Sequence, residues 1–264
     1  MSAYVGPTGY SRFWTWLRGV TPYPKSLAWC HTTDAFALRE ILSTGSFHPQ
    51  PCPVFGVELL YFFSGRPAYR FSESASLHIT CRAPVVIVLG PDLVSQGKRM
   101  FPFDTGAFSA NRYATWMHRS MQLSDFELEC PSDAPQRHVT SFFGSNANYL
   151  RLQSRTPSVG YAGEFEAESI IALLTDKNIT SADDRRTAIE LQADRAVLFE
   201  YPTVRCLILP DELIRAPFLK KFLSDRGEKI ELQPYPLTPM RVAWEYQALL
   251  EERATELQER WGLT

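Results

Sequence analysis

Apolar residues recur with two different periods in the first part of the chain. The short apolar run at 27–31 (LAWCH) predicts a buried strand. From residue 35 the apolar residues take the three- and four-residue spacing of a helix, and Thr33 or Asp34 can cap its first turn. Gly45 suits the left-handed end of that helix. The pattern therefore predicts a strand, a helix and a turn in succession.

Later apolar segments predict more strands and two further helices. The strands are expected at 57–63 (VELLYFF), 84–89 (PVVIVL), 188–192, 196–199 and 204–209. Helices are expected near 111–122, inside an otherwise irregular insertion at 97–160, and as an amphipathic tail at 239–261. Because strands and helices do not alternate regularly, we expect a single α+β domain over 1–264, with 1–26 as an N-terminal arm.

Composition and charge narrow the classes of protein. The 264 residues are 45% apolar and carry 27 basic against 29 acidic side chains, so a strongly basic coat for nucleic acid is excluded. Five scattered cysteines without a CxxC pair predict reduced thiols and no structural zinc. No apolar run approaches about 18 residues, and the first residues lack the regions of a signal peptide. We expect a cytoplasmic protein with no membrane partner.

Several common catalytic and binding motifs do not occur. The sequence has no GxGxxG after a predicted strand, no GxxxxGK[ST], no HExxH and no GxSxG. Its five histidines share no ligand spacing, so no metal site is expected. Cys30 and His31 are adjacent, but neighbours in a strand point to opposite faces and cannot pair as thiol and imidazole. His118 or His138 remains an alternative partner for Cys30.

A few polar and aromatic side chains stand out in or beside the predicted strands. His31 ends the first strand, and Tyr61 lies within the second. Tyr69 follows a turn that contains Arg66, and Glu190 lies alone in the apolar segment AIELQ. Each has a simpler interpretation: His31 as a satisfied structural group, Tyr61 as core, and Glu190 as the outward residue of a half-exposed strand. Residue types alone therefore predict an α+β domain and no particular activity.

The same segments resemble those of the ADP-ribosyltransferase superfamily. LAWCHTT at 27–33 is similar to the first-strand signature, which ends in His-Gly-Ser or His-x-Thr. LYFF at 60–63, followed by Tyr69, resembles the second signature of the PARP-like branch. AIEL at 188–191 resembles the strand that opens with the catalytic glutamate, and the order His, Tyr, Glu is that of the family triad. FFSGRPAY at 62–69 also resembles the arginine-bearing segment of DarT-like toxins.

The resemblance implies a split β-sheet core flanked by helices and a reaction that consumes NAD⁺ as substrate, without a metal. The bond between ribose C1′ and the nicotinamide nitrogen breaks through an oxocarbenium-like centre, as in glycoside cleavage, where a carboxylate stabilises the charge. Glu190 is the implied catalytic carboxylate, and the preceding loop at 177–187 helps to choose the acceptor. Glu164, Glu166 and Glu168 resemble the E-x-E arrangement of arginine-modifying members, so Glu166 or Glu168 is the alternative.

The resemblance also implies which residues bind NAD⁺. His31 contacts the adenosine ribose, and the backbone of Thr32 holds the carboxamide. Tyr61 lines the floor of the pocket, and Tyr69 stacks on the nicotinamide ring. Arg66 faces the pyrophosphate or the acceptor, because a guanidinium can meet an anion with two bonds. Two positions depart from the PARP-like pattern, since Thr32 replaces a glycine and Arg66 replaces a serine.

The implied function is mono-ADP-ribosyl transfer to a macromolecule by an enzyme of the bacterial toxin or phage-defence type. An RNA or DNA acceptor is favoured over protein, because basic residues cluster in sequence near aromatic residues that can stack on bases. These residues are Arg66, Arg70, Arg82, Lys98, Arg99 and Arg112. They can equally be a solvated surface. Such a toxin has an inhibitory partner protein, and the apolar face of the tail at 239–261 is a candidate docking surface.

Two other functions remain open at this point. A transferase-like fold that has lost catalysis would bind a nucleotide or a partner protein. An NAD⁺ glycohydrolase would release nicotinamide and transfer ADP-ribose only to water. Label transfer to a macromolecule separates both from the transferase.

Overall fold

The computed structural model describes residues 4–68, 80–176, 185–227, 229–238, 241 and 243–264. Its strands are β1 (Trp29–Asp34), β2 (Ser46–Phe47), β3 (Gln50–Cys52), β4 (Val57–Ser64), β5 (Pro84–Leu89), β6 (Arg99–Phe101), β7 (Glu190–Ala193), β8 (Val197–Leu198), β9 (Val204–Pro210) and β10 (Glu231–Tyr235). Its α-helices are α1 (Arg12–Leu17), α2 (Ala35–Thr44), α3 (Thr105–Ser109), α4 (Ala134–Phe142), α5 (Asn146–Leu150), α6 (Phe165–Thr175), α7 (Pro217–Phe222) and α8 (Ala243–Arg260).

One mixed sheet forms the centre of the fold. Its strands follow the order β10-β9-β5-β1-β4-β7-β6, and β3 adds to β4. Neighbours are antiparallel except β9 and β10, which are parallel. Strands β2 and β8 form a separate two-stranded ribbon. The central sheet with helices around it confirms the expected mixture of helix and strand.

The sheet opens locally between β1 and β4. Strand β1 pairs with β5 along its whole length, from Trp29 to Asp34. With β4 it pairs only at Trp29–Ser64 and Cys30–Phe63. The two strands are therefore hydrogen-bonded at one end only. Beyond Cys30 they separate, and this gap is called the opening between β1 and β4.

Helix α8 covers one face of the sheet. Cys30 of β1, Val88 of β5 and Cys206 of β9 lie opposite one another in register, so they share that face. Leu250 and Leu257 of α8 pack with them in one buried apolar cluster. Each Å² of apolar surface buried in this cluster contributes about 25 cal/mol of stability, and this burial holds the tail helix against the centre of the sheet.

The opposite face carries the larger core. Trp29 of β1 and Ile87 of β5 are buried there with Phe62 of β4. Leu38 of α2 packs into the same cluster. The arm at 1–26 contributes too, because it contains α1 with a buried Phe13.

The predicted succession of strand, helix and turn near the start of the chain is confirmed by its capping contacts. The Asp34 side chain accepts a hydrogen bond from the Ala37 N–H at 2.8 Å, which satisfies a free donor of the first turn of α2. Gly45 follows α2 with φ 74°, the left-handed conformation in which glycine carries no Cβ penalty. The strands expected at 57–63 and 84–89 correspond to β4 and β5.

The predictions for 97–160 were partly wrong. That stretch is not an irregular insertion, because it contains β6, α3, α4 and α5. The helix expected near 111–122 does not form; the segment is a run of turns, and Asn111 adopts φ 59°, which cannot continue a right-handed helix. The tail helix is confirmed from Ala243 onwards, whereas 239, 240 and 242 lie outside the described residues. No helix in the described part of the chain has the length and apolar character needed to cross a membrane.

Candidate active site at the opening between β1 and β4

Glu190 is a buried carboxylate held by three donors. It is the first residue of β7 and is 1% exposed. Its Oε1 accepts hydrogen bonds from the Thr105 hydroxyl at 2.8 Å and from the Gln192 side-chain amide at 2.6 Å. Its Oε2 accepts one from the Thr105 main-chain N–H at 3.0 Å. Glu190 is therefore not the outward-facing residue of the simpler interpretation.

The surroundings of Glu190 favour its protonated form. Burial raises the pKa of the Glu190 carboxyl to about 8, and the neighbouring Asp104 carboxylate pushes it in the same direction. The hydrogen bonds from Gln192 and Thr105 oppose the shift, because they stabilise the anion. A raised pKa is a common property of catalytic acids and bases.

One buried ion pair fixes both segments that surround Glu190. Asp104 caps α3 by accepting from the Ala107 N–H at 2.7 Å, and its other oxygen lies 3.2 Å from the Arg185 guanidinium. Asp104 directly precedes Thr105, and Arg185 begins the short 3₁₀ turn that leads to Glu190. The Asp104–Arg185 ion pair thus holds the segment of Thr105 next to the segment that leads to Glu190.

Tyr61 shares the face of the sheet that carries Glu190. Tyr61 pairs with Gln192 and Phe63 pairs with Glu190, so all four side chains project to one side. The Tyr61 hydroxyl donates to the Cys52 Sγ at 2.7 Å. Burial, this contact and the nearby Glu190 raise the pKa of Tyr61, so the phenol stays neutral. The structure therefore brings the predicted Tyr61 and Glu190 together.

His31 lies in the opening itself and not on the face of Glu190. Cys30 shares that face through its pairing with Phe63, so the next residue points to the other side. The His31 ring packs against Phe62 with the ring centroids 5.6 Å apart. Its Nδ1 lies 2.9 Å from the main-chain carbonyl of Tyr61. A shared cleft for the side chains of His31 and Glu190 is therefore the part of the predicted arrangement that the geometry does not reproduce.

The tautomer of His31 follows from its partner and its burial. Burial lowers the pKa of His31, although the Tyr61 carbonyl opposes the shift, so the imidazole is neutral at pH 7. A carbonyl can only accept, hence Nδ1 carries the hydrogen and donates it. The second nitrogen, Nε2, is then an acceptor suited to a hydroxyl group.

The main chain of Thr32 faces the opening. The Ala35 N–H donates to the Ala83 carbonyl at 3.0 Å, which continues the pairing of β1 with β5, so every second residue back from Ala35 directs its backbone groups towards β5. The residues between them, Cys30 and Thr32, direct their backbone groups towards β4. Pairing with β4 has ended at Cys30, and His31 takes the Tyr61 carbonyl that a regular ladder would give to Thr32. The N–H and C=O of Thr32 therefore point into the opening.

Arg66 is engaged with the tail helix. Arg66 is 3% exposed, and its guanidinium donates to the Thr187 hydroxyl at 2.7 Å and lies 3.2 Å from the Glu251 carboxylate of α8. The predicted contact with a pyrophosphate or an acceptor would need these bonds to be exchanged. Tyr69, the predicted stacking residue, and most of the loop at 177–187 lie outside the described residues.

The alternative glutamates lie at the start of a helix and not on a strand. Glu164 precedes α6, and Glu166 and Glu168 belong to its first turn, where acidic residues interact favourably with the helix dipole. Glu168 accepts from the Gly163 N–H at 3.1 Å. Glu166 lies 3.7 Å from Arg12 of α1. These glutamates therefore lie at the start of α6, apart from the opening between β1 and β4.

A cysteine nucleophile at Cys30 does not fit its surroundings. Cys30 is fully buried beneath α8, and burial raises its pKa to about 12, so the thiolate is disfavoured. His138 lies in α4 among phenylalanines, with both ring nitrogens buried and without a described partner. His118 lies in the turn segment between α3 and α4.

The basic residues expected to bind nucleic acid are largely engaged within the protein. Arg66 pairs with Glu251, and Lys98 pairs with Asp194. Arg99 stacks over the Tyr4 ring with its charge 5.3 Å from the centroid. Arg82 and Arg112 are exposed, and Arg70 lies outside the described residues. Although they are close in sequence, Arg66, Lys98 and Arg99 therefore do not form one shared cationic surface.

Sequence reasoning missed the residues that hold Glu190. Gln192 lies two positions further along the same strand and is fully buried. The spacing of two was a usable signal, because such residues share a face. Thr105, Asp104 and Arg185 carried no signal that could be linked to Glu190, since they come from distant segments.

Comparison with known proteins finds no match with any protein-family model and no match with any curated protein. Within the described residues, no three His, Cys, Asp or Glu side chains are grouped so that they could hold a metal ion. The chain is therefore defined by its fold, a mixed α/β domain with a local opening in its central sheet, and by the polar groups at that opening.

Proposed function

We propose that this protein is a mono-ADP-ribosyltransferase that uses NAD⁺ as donor and Glu190 as its catalytic carboxylate. The observation that carries the proposal is the opening between β1 and β4, into which the backbone of Thr32 points. Glu190 begins β7, the strand on the other side of β4. His31, Tyr61 and Glu190 come from three adjacent strands, which span about 10 Å at the usual strand spacing, with the His31 ring on the face opposite Glu190.

The Thr32 backbone supports a role in binding the nicotinamide. A carboxamide presents one acceptor oxygen and two donor hydrogens. The Thr32 N–H and C=O supply the complementary donor and acceptor at neighbouring positions. Because this contact uses main-chain groups, its hydrogen bonds do not require the glycine that the PARP-like pattern has at this position. The neutral His31 adds an acceptor for a ribose hydroxyl at the same opening.

Glu190 supports the transfer step through its charge. The bond from C1′ to the nicotinamide nitrogen breaks, its electron pair leaves with neutral nicotinamide, and the acceptor nucleophile forms the new bond to C1′. The anionic carboxylate stabilises the developing positive charge and takes the proton of the nucleophile. The raised pKa of Glu190 means that the anion must first form. A cationic nicotinamide ring favours that anion when NAD⁺ binds.

The acceptor in this proposal is a macromolecule, with RNA or DNA favoured over protein, and the biological setting is that of a toxin or an anti-phage effector. An inhibitory partner protein belongs to that setting. Most of the apolar face of α8 is packed against the sheet. The outward side of α8 is therefore the part that a partner could contact.

The test is label transfer from NAD⁺. The purified chain is incubated with NAD⁺ labelled in the adenylate moiety and with separate pools of RNA, DNA and protein. Glu190→Gln should lower transfer at least about a hundredfold, the scale of a lost charge-stabilising group. Glu58→Gln, an exposed glutamate of β4, is the matched control and should leave transfer unchanged. Equal transfer by wild type and Glu190→Gln would move the catalytic role to Glu166 or Glu168.

A binding module without catalysis is the second candidate. The observation in its favour is that the Glu190 carboxylate is 1% exposed and fully engaged with Thr105 and Gln192. Binding of NAD⁺ without label transfer or nicotinamide release would establish it. Nicotinamide release without label transfer would instead identify an NAD⁺ glycohydrolase.

A further inference from the structure

A groove of about 640 Å³ runs along the first turns of α6, apart from the opening between β1 and β4. Its volume lies in the range of ligand-binding clefts. Its residues come from α1, from the turn segment at 116–125 and from α6. Apolar walls are formed by Trp116, Met121 and Phe165, and acidic groups by Asp125, Glu166 and Glu168.

Glu166 is the most informative group in this groove. Its side chain is 6% exposed, and the nearest described cation is Arg12, at 3.7 Å. That distance is longer than a hydrogen bond, and Arg12 itself is 76% exposed. Buried carboxylates normally accept close hydrogen bonds, since desolvation of the charge is costly. Glu166 therefore faces the groove as an acceptor without a close described donor.

The apolar walls are suited to a flat cation. Phe165 is 62% exposed, unusual for a large apolar side chain. Trp116 is fixed because its indole N–H donates to the Asp176 carboxylate at 2.9 Å. Aromatic faces attract guanidinium and ammonium groups by cation–π interaction. An arginine fits best, because its planar head can stack on a ring and donate two bonds to a carboxylate.

The charge of the groove excludes a phosphate backbone as its ligand. Three carboxylates, from Asp125, Glu166 and Glu168, line the groove together with one guanidinium, that of Arg12. Phosphate groups would meet like charge there, whereas a basic peptide would meet opposite charge. The ligand that complements the groove is thus a segment of protein rich in arginine.

We propose that this groove docks an arginine-bearing segment of a partner protein, with one guanidinium bound to Glu166 in place of Arg12. The interaction is separate from NAD⁺ binding and does not depend on ADP-ribosyl transfer. Arg12 acts as an internal competitor for the same carboxylate. Loss of Arg12 should therefore strengthen binding, whereas loss of the Glu166 charge should weaken it.

Isothermal titration calorimetry at low ionic strength tests the proposal. The probe is a capped peptide, Ala-Arg-Ala-Arg-Ala-Arg-Ala, and its counterpart with glutamine in place of arginine is the control ligand. Glu166→Gln should raise the Kd about tenfold, the scale of one charged hydrogen bond. Glu164→Gln is the matched control, because Glu164 is exposed and does not line the groove. Arg12→Gln should lower the Kd.

Several results would overturn the proposal. These are equal Kd values for wild type and Glu166→Gln, weaker binding by Arg12→Gln, and equal binding of the arginine and glutamine peptides. Preferential binding of a single-stranded oligonucleotide that Glu166→Gln does not change would indicate a different surface. Phe165→Ala, at an exposed position that is safe for folding, should weaken peptide binding independently of the charge. Each outcome is unaffected by whether NAD⁺ is consumed.

Discussion

Glu190 and Thr105 are joined by two hydrogen bonds, one from the main-chain N–H and one from the hydroxyl of the same threonine. The two residues lie 85 positions apart in the sequence. Since Asp104 and Arg185 tie their flanking segments together, the carboxylate is held in one orientation. A catalytic group needs such support from its neighbours to stay within reach of the reacting atoms.

Thr105→Val should shift the pH profile of label transfer to higher pH. The variant keeps the main-chain donor but removes the hydroxyl that stabilises the Glu190 anion, so the pKa of Glu190 should rise above about 8. Loss of one buried hydrogen bond should also lower the free energy of unfolding by about 1 kcal/mol. The measurements are label transfer from pH 6 to 9 and urea unfolding at pH 7. Thr44→Val, in the last turn of α2, is the control, and an unchanged pH profile would remove the hydroxyl from the site.

Comparison of wild type with Glu190→Gln should reveal a pH-dependent stability term. The pKa of Glu190 is about 8 in the folded chain and 4.5 in ordinary surroundings, so the folded state binds the extra proton between these values. The stabilisation is complete below about pH 4.5 and is lost as the pH rises towards 8, with a slope of at most about 1.4 kcal/mol per pH unit.

Glutamine at position 190 titrates no proton, so its stability should lack this slope. Its amide has an available acceptor, because the buried Oε1 of Gln192 has no described hydrogen-bond partner. Urea unfolding of both proteins at pH 5, 6, 7 and 8 gives the difference directly. Parallel curves for the two proteins would show that Glu190 is ionised throughout this range.

The strands that carry the site were predictable because their apolar runs are strong. Five consecutive apolar residues in β4 and an all-apolar β5 leave little choice of conformation. Strand β10 was missed because Glu231 and Gln233 make it polar and Pro234 interrupts the pattern, which suits a strand at the edge of the described sheet.

The burial of Glu190 could not be predicted from its own segment. Alternation places a single glutamate between Ile189 and Leu191 on the outward side of a half-exposed strand. The outward side becomes an interior because Asp104 and Thr105 fold over it, and that depends on contacts far apart in the sequence. The position of His31 in the opening likewise depends on where pairing with β4 stops, which a single strand does not specify.

The contact between Arg66 and Glu251 should stabilise the tail helix. Glu251→Gln leaves the Arg66 charge buried with a weaker partner, and we expect a loss of about 2 kcal/mol in the free energy of unfolding. Arg66→Met combined with Glu251→Gln should recover part of that loss, because no unpaired charge remains. Urea unfolding of the two single variants and the double variant measures the coupling. Glu252→Gln, at an exposed position of α8, is the control, and additive losses would contradict the pairing.

His138 should produce the opposite pH dependence to Glu190. Burial lowers the pKa of His138 to about 3 from 6.5, so the unfolded chain binds the proton first as the pH falls. The neutral buried imidazole thus contributes stability above pH 6.5 that is lost progressively towards pH 3, whereas the stability from Glu190 is lost as the pH rises.

His138→Leu removes this titration and also removes two buried nitrogens without a described partner. We expect the variant to be about 1 kcal/mol more stable than wild type at pH 7, with the advantage growing by about 2 kcal/mol at pH 5. Urea unfolding at both pH values measures it. A constant difference between wild type and His138→Leu would mean that His138 is protonated inside the folded protein, which the phenylalanine cluster around it disfavours because it offers no partner for the charge.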